Sequence, residues 1–250
     1  MHTKKQNIGS GAAAEAIAAI ASPPTTAAEA FALAAAKEGP LKNRLDTYSS
    51  YSRQLGPQIN AAYDELIEKL GRLKNLGPAP DTLMPDFDLP DQDGHLVSLS
   101  GLLEKGPLVL SFNRGHWCPW CRLELRAIAE INGEVEKRGA QVASIIPETA
   151  VYSAKLAKDN RLPFKILTDL DLGYTLSLGL MIWAGERIRT LYRQAGIDLA
   201  LFHSNEGWFL PIPATFIIGS DGIVVAKMAD PDFRKRMEPE TILAALQKAR

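Results

Sequence analysis

Three segments that follow one another without a spacer restrict this chain most. PLVLSFN (107–113) is an unbroken apolar run, RGHWCPWC (114–121) comes next, and CRLELRAIAEINGEVEKRG (121–139) then has the character of a helix. An apolar run with no polar alternation is the signature of a strand buried on both faces. Leu125, Ile128 and Val135 fall on one helical face, and Gly139 marks the stop. The junction between strand and helix holds the only two cysteines of the 250-residue chain, Cys118 and Cys121.

The alternation of strand and helix continues. AQVASIIP (140–147) predicts a second buried strand, ETAVYSAKLAKDNRL (148–162) a helix and FKILTD (164–169) a third strand. Residues 172–196 read as mostly helical, ATFIIGSDGIVVAK (214–227) as a hairpin turning at Asp221–Gly222, and PETILAALQKAR (239–250) as a closing helix with proline at its start. Upstream, DFDLPDQDGHLVSL (86–99) predicts a hairpin with an Asp93–Gly94 turn, and Ser100 is placed to cap a short helix ending near Gly106. The order predicts an α/β fold with a central, mixed, partly parallel sheet flanked by helices.

Helices precede that domain. AAEAFALAAAKEG (27–39) consists of strong helix formers. LKNRLDTYSSYSRQL (41–55) lines up Leu41, Leu45, Tyr48 and Leu55, and INAAYDELIEKLGRL (59–73) lines up Ile59, Tyr63, Leu66 and Leu70. The expected organisation is a disordered or frayed segment 1–25, a helical extension 26–76, a Pro-rich link and a domain over 80–250. The two stripes pack either on that domain or across a homodimer. The early Lys pair and Ala-rich run are a poor match to a secretion signal, because Glu15 interrupts the run. A cytoplasmic setting is the expectation. A net charge of −1 gives no footprint for nucleic acid, and no apolar run is long enough for a membrane span.

Backbone N–H groups at a helix start carry partial positive charge and favour thiolate over thiol, and Arg114 and His116 stand close enough in sequence to add to it. C-x-x-C spacing lets two sulfurs form and break a disulfide around one turn. Zinc would need two further ligands; His2, His95, His116 and His203 include no paired spacing. No glycine-rich phosphate loop, flavin or nicotinamide fingerprint is present. The expectation is therefore no metal and no cofactor, with electrons arriving from another protein or a small thiol.

VLSFNRGHWCPWCRLELRAI, followed by LPIPATFIIGSDGIV, resembles the thioredoxin-like superfamily, and more closely the peroxiredoxin-like branch of the alkyl hydroperoxide reductase / thiol-specific antioxidant (AhpC/TSA) family. ERIRTLYRQAGIDL and DPDFRKRMEPETILAAL also resemble that branch. The resemblance covers residues 80 to the end and implies a thioredoxin-like fold. Its two motifs assign the cysteines differently. The thioredoxin-type W-C-x-x-C pattern implies Cys118 as nucleophile and Cys121 as resolver. The peroxiredoxin pattern P-x-x-x-T/S-x-x-C-x-x-E implies Cys121 as the cysteine that attacks peroxide, with Glu124 at the Glu position. Cys118 then occupies the hydroxyl position and Arg114 the proline position. A thiol is a weaker hydrogen-bonding partner than a hydroxyl. Where the family carries Arg before A/S-T-F, this chain has Pro213, ahead of Thr215. Pro213 resembles the cis-proline of thioredoxins, so a cis peptide is expected there, and Arg114 is expected to replace the missing positive charge. Trp117 and Trp120 are expected to flank the sulfurs and limit solvent access.

The resemblance implies a thiol peroxidase for hydrogen peroxide and organic hydroperoxides, regenerated by thioredoxin or another thiol. A thioredoxin-type disulfide oxidoreductase and a redox sensor acting through the N-terminal helices are the alternatives.

Overall fold

The structure is a computed structural model that describes residues 23–249. The expected frayed segment 1–25 lies almost wholly outside the described residues. Three helices come first: α1 (Ala27–Ala35), α2 (Leu41–Leu55) and α3 (Pro57–Leu70). Thr26 caps α1 in a reciprocal box with Glu29. The N-cap of α2 is Pro40, whose ring carries no hydrogen-bond acceptor, so Glu238 near the far end of the chain accepts from the N–H groups of Leu41 and Lys42, each at 2.8 Å.

A small ribbon follows: β1 (Asp88–Pro90) pairs antiparallel with β2 (Leu96–Ser98) around the Asp93–Gly94 turn. Ser98, not Ser100, caps the short helix α4 (Leu99–Leu103), because the extended backbone of β2 ends there and aims its hydroxyl at Gly101 N–H, 2.9 Å away. The main sheet then forms from β3 (Leu108–Phe112), β4 (Gln141–Ile146), β5 (Lys165–Thr168), β8 (Ala214–Ile218) and β9 (Val224–Ala229), in the order β5-β4-β3-β8-β9. β3, β4 and β5 run parallel; β8 and β9 add antiparallel. This is the mixed, helix-flanked sheet expected from the sequence. Every residue of β3 is buried, which is why its run carries no polar alternation.

The helix expected over 121–139 is two helices, α5 (Pro119–Glu130) and α6 (Asn132–Glu136). The break falls at Ile131, ahead of Asn132 and Gly133, both weak helix formers. α7 (Ala150–Asn160) joins β4 to β5. Residues 172–196 are not mostly helical. They hold α8 (Gly173–Ser177), β6 (Met181–Trp183) and α9 (Glu186–Gln194), and β6 pairs antiparallel with β7 (Phe209–Pro211) beyond α10 (Leu199–His203). Gly179 and Gly185, both at positive φ, bracket the Met-Ile-Trp segment and stop helix on either side. α11 (Pro239–Leu246) closes the chain.

The stripes on α2 and α3 pack inside the chain. Leu41, Leu45, Tyr48 and Tyr63 are buried, and Ile59, Leu66 and Leu70 pack against the same core as the sheet; only Leu55 faces outward. α2 packs against α1 and α5, and α3 against α2 and α9. No helix among the described residues is long and apolar enough to cross a membrane.

Candidate active site

Cys118 is the N-cap of α5, Pro119 its first helical residue, and Cys121 sits in the first turn. This lies at the carboxyl end of β3, with Asn113 to Trp117 as connection. The connection is held from one side by Glu148. Its fully buried carboxylate accepts from the His116 backbone N–H at 2.8 Å and lies 2.7 Å from His116 Nδ1. Gly115 has φ of +133°, and a Cβ there would come within 2.5 Å of that carboxylate, so only glycine fits. The His116 ring stacks on Tyr152 at 4.8 Å. Its ring thus helps to hold the loop.

Both cysteines are free thiols, 1% and 0% exposed, with their sulfurs 2.7 Å apart. Their surroundings differ. Cys121 Sγ is 3.4 Å from the backbone N of Arg114 and 3.4 Å from Nη2 of Arg236, both donors. Burial alone pushes the Cys121 thiol up. A hydrogen bond from the Cys118 thiol, the Arg236 charge and the Arg114 N–H outweigh it and bring Cys121 down to about 5. Cys118 moves the other way, pushed well above the usual thiol value by burial and then by the neighbouring Cys121. The helix start alone would favour a thiolate at either position; the donors single out Cys121.

Arg236 was not singled out by the sequence. It lies between β9 and α11, where Phe233 packs against Trp120 and Tyr63 at ring distances of 5.2 and 5.0 Å and pins the segment over the site. Its Nη1 donates to Asn113 Oδ1 at 3.1 Å and to Glu124, and its Nε donates to the Phe233 carbonyl at 2.9 Å. Burial works against this guanidinium's charge, yet Glu124 and Cys121 hold it above the ordinary arginine value. Burial raises the Glu124 carboxyl, with Arg236 pulling against it. Thr215 Oγ1 donates to the other Glu124 oxygen at 2.9 Å; the β3–β8 register sets Thr215 opposite Ser111, next to the loop. Nothing in the spacing of Arg236 from the cysteines marks it, since it lies 115 positions beyond Cys121.

Arg114, expected to replace the missing charge, gives Cys121 its backbone N–H, and its charge pulls the Cys118 thiol down against burial. Its guanidinium lies 3.9 Å over the Phe233 ring, with Nε donating to the Pro211 carbonyl. Pro213 lies in a trans peptide, and no cis bond occurs among the described residues. Ile212 N–H is held by the Leu180 carbonyl and Ala214 pairs at once with Phe112, so the chain continues extended from β7 into β8 with no reversal that a cis bond would serve. Trp120 is fixed by its Nε1 to Ser49 Oγ at 2.9 Å, and Trp117 packs edge-on against Tyr192 at 5.1 Å.

A parallel βαβ core extended by an antiparallel hairpin, with a C-x-x-C pair at a helix start, defines a thioredoxin-fold thiol protein. Residues 80–227 match the AhpC/TSA family, and the chain belongs to that family. It is 31% identical over 140 residues to the chloroplastic peroxiredoxin Q of Triticum aestivum, covering 56% of this chain and 54% of that protein. It is 30% identical over 142 residues to a putative peroxiredoxin bcp of Helicobacter pylori, covering 57% of this chain and 82% of that protein. The chain spans a little over half the length of the plant relatives it matches first. Among solved structures, peroxidoxin BcpB of Mycobacterium tuberculosis aligns with a TM-score of 0.53 at 24% identity, over 68% of this chain and 97% of that one. Peroxiredoxin 6 of Arenicola marina aligns with a TM-score of 0.55 at 20% identity, over 68% of this chain and 73% of that one, and the two likenesses establish the fold.

Proposed function

We propose that this protein is a thiol peroxidase in which Cys121 attacks and Cys118 resolves. The observation that carries this reading is the unequal treatment of the two sulfurs: three donors converge on Cys121, while burial and the neighbouring sulfur push the Cys118 thiol up. The Cys121 thiolate attacks the terminal oxygen of ROOH. The O–O bond breaks, Cys121 becomes sulfenic acid, and the alkoxide or hydroxide leaving group takes up a proton as ROH or water. The Cys118 sulfur then displaces hydroxide from the Cys121 sulfenic acid, releasing water and forming the Cys118–Cys121 disulfide. A dithiol reductant such as thioredoxin, or two small thiols, returns both cysteines to the reduced form and becomes a disulfide itself. The net change is ROOH plus dithiol to ROH, water and disulfide.

In this reading Arg236 is the cationic partner of the thiolate, and Glu124 and Thr215 are positioning residues that hold it. Arg114 acts through its N–H, Trp117 and Trp120 shield the pair, and Pro213 steers β7 into β8. Residues 80–250 carry the chemistry and 26–76 cover it. Both sulfurs and all their donors come from one chain, so the reading needs no second copy. A cytoplasmic setting belongs to it, since a free dithiol pair requires a reducing supply. The thioredoxin-type alternative needs its thiolate on Cys118, the sulfur that burial and Cys121 keep protonated.

The test is turnover of hydrogen peroxide with thioredoxin, its reductase and NADPH. The reading expects protein-dependent NADPH oxidation that Cys121→Ser abolishes. Reduction of a protein disulfide with no peroxide consumed would favour the thioredoxin-type alternative instead.

A further inference from the structure

Breaking the O–O bond creates a strong base inside a closed site. The departing oxygen leaves as hydroxide or alkoxide, beside sulfurs that are 0% and 1% exposed and so have no direct access to bulk water. Three groups donate to the Cys121 sulfur: the Arg114 N–H at 3.4 Å, Arg236 Nη2 at 3.4 Å and the Cys118 thiol at 2.7 Å. A backbone amide does not give up its proton. Arg236 holds its own above the ordinary arginine value, because Glu124 and Cys121 outweigh the burial that opposes its charge. Of the three, only the thiol has a proton to release.

We propose that Cys118 is the general acid of the peroxide step, handing its thiol proton to the leaving oxygen and becoming, by that act, the thiolate that resolves. The inference rests on the thiol peroxidase reading. The Cys121 thiolate takes the terminal oxygen with its hydrogen, the O–O and Cys118 S–H bonds break, and the proton joins the departing RO oxygen. The products are the Cys121 sulfenic acid, ROH and the Cys118 thiolate. That thiolate forms the S–S bond and displaces hydroxide, which takes one proton from solvent to become water. The local geometry suits the role. Cys118 is extended, with φ of −86° and ψ of 111°, and its side chain caps no helix N–H, so among the described residues its sulfur has Cys121 as its one hydrogen-bond partner. Burial and then Cys121 push the thiol up, with the Arg236 and Arg114 charges pulling against them. Turning Cys121 into a neutral sulfenic acid removes the hold that its negative charge exerts, so the Cys118 proton loosens as the base appears. A thiol is ordinarily a far stronger acid than water, at about 8.5 against about 15.7. The hydroxyl that the family motif has at this position donates a hydrogen bond but releases no proton near neutrality.

The test is single-turnover oxidation of reduced wild type, Cys118→Ala and Cys118→Ser by hydrogen peroxide and by peracetic acid, followed by stopped-flow tryptophan fluorescence. Each rate is divided by the Cys121 thiolate fraction, read from thiolate absorbance, so that a change in that fraction cancels. Hydrogen peroxide must expel hydroxide, whereas peracetic acid expels acetate, a weak base that needs no proton. Cys118→Ala should slow hydrogen peroxide by about a hundredfold and peracetic acid little. Cys118→Ser, whose hydroxyl still donates but is a weaker acid, should keep the fast phase at a rate between wild type and Cys118→Ala. Equal slowing of both oxidants by Cys118→Ala, or slowing of neither, overturns the inference and leaves the peroxidase reading standing. If Cys118→Ala does not fold, wild type in heavy water decides: the slowing should be larger for hydrogen peroxide than for peracetic acid, and equal slowing overturns the inference. A wild type that meets hydrogen peroxide no faster than a free thiol is failure of the peroxidase reading, and the inference falls with it.

Discussion

Arg236 reaches Cys121 across 115 positions of chain, its Nη2 3.4 Å from the sulfur while its Nη1 is held by Glu124 and Asn113. Cation and carboxylate are both almost wholly buried, with side chains 2% and 1% exposed. The thiolate therefore depends on a pair that must stay intact.

Arg236→Gln removes the cation and strands the Glu124 carboxyl. Breaking one partner of a buried pair costs about 3–5 kcal/mol, measured by denaturant unfolding. The thiolate absorbance of reduced protein should shift to higher pH. Adding Glu124→Gln should recover much of the stability without restoring the thiolate, because only the arginine serves the sulfur. Recovery of both would assign the pair a purely structural role.

The pH dependence of oxidation follows from the depressed Cys121 value. With that thiol at about 5 against an ordinary 9.0, the first oxidation step should be flat through neutrality and fall about tenfold per pH unit below 5. The linked stability has the same sign. The depressed group stabilises the folded, reduced protein fully above pH 9, progressively less from 9 down to 5, and not at all below. Cys121→Ser should flatten that slope.

His203 supplies an independent acid-side effect. Burial holds its imidazole down to about 4, with Nε2 lacking any partner. Above its ordinary 6.5 both states are neutral and it contributes no slope. As pH falls from 6.5 to 4 only the unfolded chain takes up the proton, so stability drops by about 3 kcal/mol. Chemical unfolding of His203→Phe over that window should show the slope reduced.

Glu238→Ala tests how the helical extension is tied down. It removes the acceptor for two N–H groups at the start of α2, and should cost about 1–2 kcal/mol with little change in oxidation rate. A loss of the fast oxidation phase would mean that α2 positions the site as well as covering it.

The strand–C-x-x-C–helix core was readable because each signal is local. An apolar run, a helical period and an Asp-Gly turn are all set by near neighbours, and β3, β4, β8 and β9 fall where those signals lie. The ribbon of β6 and β7 was missed because three residues are too few to show a period, and flanking leucines gave a helical pattern until Gly179 and Gly185 interrupted it. At the site, Cys118, Cys121, Glu124 and Thr215 were found through motif spacing. Arg236 and Asn113 were not, because their contacts with the sulfur and carboxylate are made only by tertiary folding. Arg114 was singled out for its charge; its backbone N–H contact with Cys121 is a further tie that no side-chain pattern carries.

The proposed mechanism stands or falls on Cys121 being the sulfur that meets peroxide. It is tested most directly by stopped-flow tryptophan fluorescence of pre-reduced wild type, Cys118→Ser and Cys121→Ser mixed with hydrogen peroxide, with Trp117 and Trp120 as reporters. Cys118→Ser should keep the fast first phase and Cys121→Ser should lose it. Retention of that phase in Cys121→Ser, with its loss in Cys118→Ser, would contradict the account and make Cys118 the leading nucleophile.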